Sequence, residues 1–363
     1  MKTRSGDGGC RSGRHRRRTV RTGGGPRTAP AETEPVVLEA SARAAGSWPH
    51  YYDSLTLFSP ARYSSLPGLP FGADPDRYPH RDEVVEYLLR YAGRLDADIR
   101  TGHRVTGVRE DGEGFALTLE DGSGLGARAV VAATGGFDRP HRPALPGLDS
   151  FTGTVLHVRD YRSPRPFAGR RVVVVGAGNS AVQVAAELAA HARVSLASRA
   201  PVRWFGQRPL AGRDLHFWLT VSGLDIAPLG RFLREPATMA AIDDGRYRAA
   251  LDAGAPDHRP MFTGIEGTGV TWADGTTEDV DAIVLATGYR PALGYLAPLG
   301  ALDGRGRPLH RDGASLTHPA LAFVGLEWQR SLSSASLRGV GLDARRMARR
   351  TAARLGRPTS PPR

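Results

Sequence analysis

Cysteine is almost missing from this chain of 363 residues, where Cys10 stands alone. An internal disulfide is impossible, and so is a C-x-x-C pair that would carry electrons through sulfur. Long apolar runs are missing as well. No stretch approaches the roughly 20 apolar residues that a spanning helix needs. No hydrophobic segment follows the basic N-terminus as it would in a secretory signal. The expectation is a cytoplasmic protein without a transmembrane segment. Acidic residues fall short of basic ones, 37 against 49, which leaves a formal charge of +12. That surplus is local. Residues 1–33 hold nine Lys and Arg against Asp7 and Glu32, so seven of the twelve excess charges lie in a segment without one Phe, Trp or Tyr. A basic stretch with no ring to stack on a base is a weak nucleic-acid signal, and no such partner is expected.

The length allows about two domains. The most informative stretch is Arg171–Ala189, RVVVVGAGNSAVQVAAELA. Four valines, Val172 to Val175, suit a strand buried on both faces. The chain then turns through Gly176 and Gly178 and enters a helical pattern in which Val182, Ala185, Ala186 and Ala189 share a face. This context gives weight to G-x-G-x-x-A (Gly176, Gly178, Ala181) as a dinucleotide fingerprint. Gly176 permits the tight turn, Gly178 lets backbone approach a pyrophosphate, and Ala181 lets helix and strand pack closely. Asn179 and Ser180 open the helix, whose free N–H groups face the phosphates. The next strand, Val194 to Ala197, ends in Ser198 and Arg199 rather than in an acid. Serine and arginine suit a ribose 2′-phosphate, so NADPH is expected over NADH.

Residues 1–33 are rich in Gly, Arg, Thr and Pro and show no apolar period, as a disordered segment would. At Glu34 the character changes. Pro35–Glu39 reads as a buried strand ending in an acid, and Glu39 is placed to bond a ribose as on the second strand of a dinucleotide fold. The first strand and glycine turn that should precede it are absent. Synonymous codons exist for which Gly9–Arg21, GCRSGRHRRRTVR, reads DVDRVVIGAGQSG one base later. That is a strand and a G-x-G-x-x-G turn, about 20 residues before Glu39. Residues 1–33 are therefore either disordered or a frame-shifted reading of a lost loop.

Beyond this point, Gly46–Ala92 runs GSWPHYYDSLTLFSPARYSSLPGLPFGADPDRYPHRDEVVEYLLRYA. Its cadence of Trp, Tyr, Leu-Pro and Tyr-Pro resembles the flavin-containing monooxygenases, especially their plant YUCCA-type branch. Phe151–Tyr161, FTGTVLHVRDY, matches the F-x-G-x-x-x-H-x-x-x-Y sequence of that family, and Ile283–Tyr289, IVLATGY, matches its second motif. Trp48, Tyr51 and Tyr52 are either rings near a flavin or core aromatics. Arg81–Leu95 reads as a helix. Residues 104–133 read as short strands turning at Asp111-Gly112 and Asp121-Gly122. Residues 201–262 look like an insertion, Trp272–Gly275 is a hairpin turn, and a C-terminal helix with Gly339 and Gly341 at its entry ends near Leu355.

The resemblance implies an α/β protein of two nested dinucleotide-binding, Rossmann-like domains. A discontinuous FAD domain (34–163 and 287–355) would enclose an inserted NADP domain (164–286), and 356–363 would be a disordered tail. Cofactor contacts are implied for Glu39, Gly46, Trp48, Thr134 and Gly135 at the ATGG turn, for Thr287 and Gly288 at the ATGY turn, and for Gln329. The implied reaction takes hydride from NADPH to FAD, then dioxygen to a flavin hydroperoxide, then one oxygen atom to a small organic substrate. His157 is either catalytic or, sitting on the crossover between domains, a hinge or packing residue. Amine-oxidising members place an Asn near the flavin at about Ser59, and a hydroxyl offers one donor and no amide. N-oxygenation is therefore disfavoured. Two alternatives remain open, an NADPH-dependent flavoprotein reductase without oxygenation and an NADP-binding remnant with impaired FAD binding.

Overall fold

The structure, a computed structural model, describes residues 35–72, 74–232 and 240–356. The expectations for residues 1–33 and for a tail beyond Gly356 lie outside the described residues.

In chain order the elements that matter are β1 (Val36–Leu38), α1 (Arg81–Ala92), β2 (Asp98–Arg100), β3 (Val130–Ala132), β4 (Thr154–His157), β5 (Arg171–Val175), α2 (Asn179–Ala189), β6 (Arg193–Ser198), α3 (Leu215–Val221), α4 (Arg246–Asp252), β7 (Asp257–Pro260), β8 (Ala282–Leu285), β9 (Leu321–Phe323) and α5 (Leu337–Leu355). Between β2 and β3 lies an antiparallel meander of Val105–Asp111, Gly114–Leu119 and Gly124–Ala127, turning where the glycine dipeptides stand. The helix expected at 81–95 closes three residues earlier, at Ala92. Its first turn is held by Glu83, whose carboxylate accepts from the His80 N–H at 2.8 Å. Its buried Tyr87 donates to the Leu69 carbonyl at 2.6 Å and accepts from the Leu66 N–H at 2.6 Å, which pins the preceding loop.

The largest sheet has the order β7-β6-β5-β8-β4, all parallel. β5 lies at its centre with all five residues buried, as its valine run demands. Successive side chains of a strand point to opposite faces. Val172 and Val174 accordingly pack with Ala181, Val182, Ala185 and Leu188 of α2. Val173 and Val175 pack with Phe262, Ile265, Val270 and Trp272 on the other face. That second cover is a three-stranded antiparallel sheet, Gly264–Glu266, Gly269–Thr271 and Thr277–Asp279, and the WADG turn joins its last two strands. The remaining strands are in smaller groups. Among the described residues β1 pairs with β2 alone, in parallel, and β3 pairs in parallel with β9, which continues into the short strands Ala314–Ser315 and His310–Arg311. Helix α5 buries Gly339, Gly341, Asp343 and Met347.

Three expectations need correction. Strand β1 is not buried, since Val36 and Val37 are 38% and 41% exposed. It is an edge strand among the described residues, and its apolar letters alone suggest two covered sides. The large sheet also begins earlier than residue 164, because β4 is its outer strand. The mixed letters Thr-Val-Leu-His hid that strand beside the all-valine one. Finally, the stretch 201–262 is not wholly an insertion, since β7 within it forms the other edge of the same sheet. No helix among the described residues is long and apolar enough to cross a membrane.

Because Val174 is fully buried between β6, β8 and α2, Val174→Ala is expected to lower unfolding stability by about 2 kcal/mol, from roughly 0.8 kcal/mol per lost methylene plus the cavity left behind. Urea denaturation measures it. A change under about 0.5 kcal/mol would mean that the strand is not the packed centre described.

Candidate functional site

The site grows out of the end of β5. Gly176 donates its N–H to the Ala197 carbonyl at 2.9 Å, and Ala286 donates back to the Val175 carbonyl at 2.8 Å. The chain must then turn away within one residue. Gly176 does so at φ +147°, and a Cβ there would stand 2.4 Å from the Ala286 oxygen and 3.1 Å from the Ala181 Cβ. No other residue fits. Gly178 is different. It is the N-cap of α2 in extended backbone, with nothing within 4 Å of the position a Cβ would take. Space is left open where the first N–H groups of α2 emerge, and no acid stands in that first turn. The first N–H groups of a helix have no intrahelical acceptor, so this end is suited to an anion.

Other residues gather at the same carboxyl edge of the sheet, where parallel α/β folds bind ligands. Ser198 closes β6, but its hydroxyl is committed to the Ala200 carbonyl and the His258 Nε2, each at 2.7 Å. Arg199 follows it and is exposed. Burial holds the His141 imidazole below its ordinary pKa, and the nearby charges of Arg290 and Arg199 push the same way. Three cationic or proton-accepting groups thus stand near this edge, two of them, His141 and Arg290, lying outside the G-x-G-x-x-A fingerprint and the strand that follows it. Thr287 and Gly288 follow β8. The Thr287 hydroxyl donates to the His141 carbonyl at 2.5 Å, and the His141 N–H donates to the Gly288 carbonyl at 2.9 Å. Asn179 does not face the opening, because its Oδ1 accepts from the Ile242 N–H at 2.8 Å and ties α2 to the strand Ala241–Asp243.

The eleven-residue motif brackets this cradle. Phe151 packs under β5 and β8. At Gly153 a Cβ would lie 2.6 Å from the Phe151 ring and 2.7 Å from the Asp281 oxygen. His157 is fully buried, accepts from the Arg159 N–H at Nδ1 and lies 3.1 Å through Nε2 from the Gly288 carbonyl. These partners assign the proton to Nε2. Tyr161 is buried and donates to the Glu187 carboxylate at 2.8 Å, and Tyr52 donates to the Gln183 side chain at 2.5 Å. Both tyrosines therefore grip α2 from outside its own sheet. Tyr52 is a core aromatic. His157 holds the turn after β8 and has no free nitrogen for a substrate.

The residues expected in the first half are placed as follows. Glu39 follows β1 and accepts from the Ser41 N–H at 2.7 Å. Gly46 has φ +57°, and Trp48 meets Tyr51 edge to face at 5.4 Å. Thr134 and Gly135 follow β3, with Thr134 Oγ1 3.5 Å from the Tyr295 hydroxyl and Gly135 at φ +68°. The buried Ser59 hydroxyl pairs with that of Ser64 at 2.9 Å. The Gln329 amide nitrogen is buried without a partner and lies against Gly313, where a Cβ would be 2.4 Å away.

A family model described as pyridine nucleotide-disulphide oxidoreductase matches residues 28–209. The indole-3-pyruvate monooxygenase YUCCA1 of Oryza sativa is 34% identical over 292 residues, 70% of each chain. The chain belongs to the flavin monooxygenase/oxidoreductase family. Within it, the uncharacterized oxidoreductase CzcO-like of Geobacillus kaustophilus is 32% identical over 82% of this chain and 85% of its own length. The solved flavin-containing monooxygenase of Stenotrophomonas maltophilia superposes with a TM-score of 0.76 at 32% identity, covering 88% of this chain and 91% of the other. The fold is that of the two-domain flavoproteins, and the protein is an FAD-dependent oxidoreductase by family.

Burial holds the His157 pKa below its ordinary value. A lowered histidine pKa means that the unfolded chain takes up the proton first. The resulting stability is complete above the unfolded pKa, about 6.5, and is lost as pH falls through and below it. Thermal unfolding is expected to drop in temperature from about pH 7 to about pH 5.5, and less steeply in His157→Gln, which keeps an N–H donor. Equal slopes in the two proteins would remove the buried neutral imidazole from the explanation.

Proposed function

We propose that the protein is an NADPH-dependent flavoprotein monooxygenase that places one oxygen atom of dioxygen into a small organic substrate. The observation that carries the nicotinamide half is the cradle at Gly176 and Gly178, with Arg199 beside it. In this reading the pyrophosphate rests on the N-terminus of α2 and Arg199 meets the 2′-phosphate, while Ser198, its hydroxyl already bonded, shapes the strand end. Tyr52, Tyr161 and His157 keep the helix and the two turns in place, so binding needs little rearrangement. The relatives support the oxygenation half. FAD, when bound, supplies the electron transfer and the dioxygen chemistry, and the protein orients and shields it.

The domain division that supports this reading has residues 34–163 and 287–355 on the flavin side and 164–286 on the NADP side, with β4 added to the latter. The described residues offer FAD an acid for a ribose, Glu39, and a flexible turn, Thr134-Gly135. They offer its pyrophosphate no strand, glycine turn and helix, because α2 is the only helix among them that follows a buried strand through such a turn. FAD therefore does not fit these residues as they stand. That observation favours, as a second reading, an NADP-binding remnant.

Two variants test the nicotinamide half without needing flavin. Gly178→Asp puts a carboxylate where the phosphates would lie, yet aspartate is a good N-cap. The melting temperature should hold or rise while NADPH binding, followed by nucleotide fluorescence, is lost. Arg199→Glu should weaken NADPH by about tenfold or more and leave NADH nearly unchanged, since a charge-assisted contact is worth roughly 1.5–3 kcal/mol. Equal affinity of the unmodified protein for NADPH and NADH would end the assignment of Arg199.

A further inference from the structure

The protein contains its own template for a complete cradle. In the large sheet the strand before the glycine turn, β5, lies between β6 and β8. Each neighbour has a counterpart in the first half. β1 pairs in parallel with β2, as β6 pairs with β7. β3 pairs in parallel with β9, as β8 pairs with β4. β3 runs into AATGG (132–136) and β8 into LATGY (285–289), so these two strands end in the same turn. What has no counterpart among the described residues is β5. Its place would be between β1 and β3, whose other edges are each already paired.

Exposure agrees with a strand that has no counterpart among the described residues. Val36, Val37 and Val131 are 38%, 41% and 46% exposed. In the template, β8 is wholly buried, and in β6 only the first residue is exposed. Yet Leu38, Val130 and Ala132 belong to one hydrophobic cluster, so the two edges flank a common core. Among the described residues, three exposed apolar side chains thus lie on two strands that each have one unpaired edge, one strand's place apart by analogy with the large sheet.

The written sequence admits a segment of the right kind in a shifted frame. Read one base later, each codon of the N-terminal region takes its outer two bases from the written sequence, apart from the choice between codon boxes at Arg and Ser, and the wobble base is free. Under that constraint Gly9–Pro30, GCRSGRHRRRTVRTGGGPRTAP, admits DVDRVVIGAGQSGLAAARALRR. The triplet Gly-Gly-Gly, glycine being a weak helix former, becomes Ala-Ala-Ala, alanine being the strongest. The product is a strand, a G-x-G-x-x-G turn and a helix in that order, and its VVIGAGQSG repeats the pattern of VVVVGAGNSA at Val172–Ala181. The matched family model begins at residue 28, near the end of this segment.

We propose that the opening between β1 and β3 is the seat of this out-of-frame segment, and that the chain as written lacks the FAD pyrophosphate cradle that the gene encodes one base away. This rests on the flavoprotein reading above. Restoring the segment adds the central strand, covers Val36, Val37 and Val131, and presents a second helix N-terminus to a pyrophosphate.

The first test needs no folded protein. In the gene, the wobble bases of codons 9–30 must spell the strand, turn and helix in the shifted frame, and wobble bases that spell anything else overturn the assignment. The second test compares three full chains: the one written, one with residues 9–30 replaced by DVDRVVIGAGQSGLAAARALRR, and one with DVDRVVIVAVQSGLAAARALRR, where valine blocks the turn. Each is reconstituted with FAD and desalted, and flavin per chain is read by absorbance. FAD affinity should rise at least about tenfold in the second chain only, the loss of one charge-assisted contact being worth that much. Stoichiometric FAD on the written chain, or no gain in the second, would refute the proposal. NADPH binding is read on all three. Its loss everywhere would strike the nicotinamide reading instead and leave the flavin comparison standing.

Discussion

The approach of Gly176 to the Ala286 carbonyl is the contact on which the rest depends. It brings the ends of β5 and β8 together so closely that no side chain can come between them. Everything functional on the nicotinamide side is measured from that contact. It sets where α2 begins, and therefore where its free N–H groups lie. It sets where the ATGY turn departs, and hence which carbonyl His157 and His141 can reach. A valine strand buried on both faces supplies the rigidity, since interiors this dense transmit displacement rather than absorb it.

Around that contact the protein spends its polar side chains on position. His157, Tyr161, Tyr52 and Asn179 all look like chemistry when read as letters. In the fold they hold, respectively, the turn after β8, the outer face of α2 twice over, and the strand Ala241–Asp243. The eleven-residue family sequence is therefore an architectural bracket. A match to it reports that two nucleotide units are joined in a particular way, and reports little about the reaction they perform.

Much of the second half was legible because its signals are local. A valine run, a glycine spacing and an alanine-rich helical period need no knowledge of the rest of the chain. The same holds for the WADG turn and for α1. What was not legible depends on neighbours. Nothing in Pro35–Glu39 says that one side of its strand is uncovered, because apolar letters describe a preference for burial and not its fulfilment. β4 was hidden by a histidine and a threonine whose places are set by partners more than a hundred residues away. The edge formed by the charges of Arg199 and Arg290, with the His141 imidazole that they and burial hold toward its neutral form, is likewise scattered over the sequence. The commitment of the Ser198 and Ser59 hydroxyls to His258 and Ser64 could be seen only in three dimensions.

The exposed valines of β1 and β3 carry one more consequence, which concerns the crowd rather than the single molecule. Naturally occurring sheets protect their margins with lysine, proline, bulges or a covering loop. β1 and β3 offer short, apolar margins with none of these in the strands themselves. Wherever such a margin is left uncovered, it can pair with an extended chain that drifts past, including another molecule of its own kind. Solubility and lifetime in a cell would then hinge on dilution and on chaperones, well before any question of turnover arises.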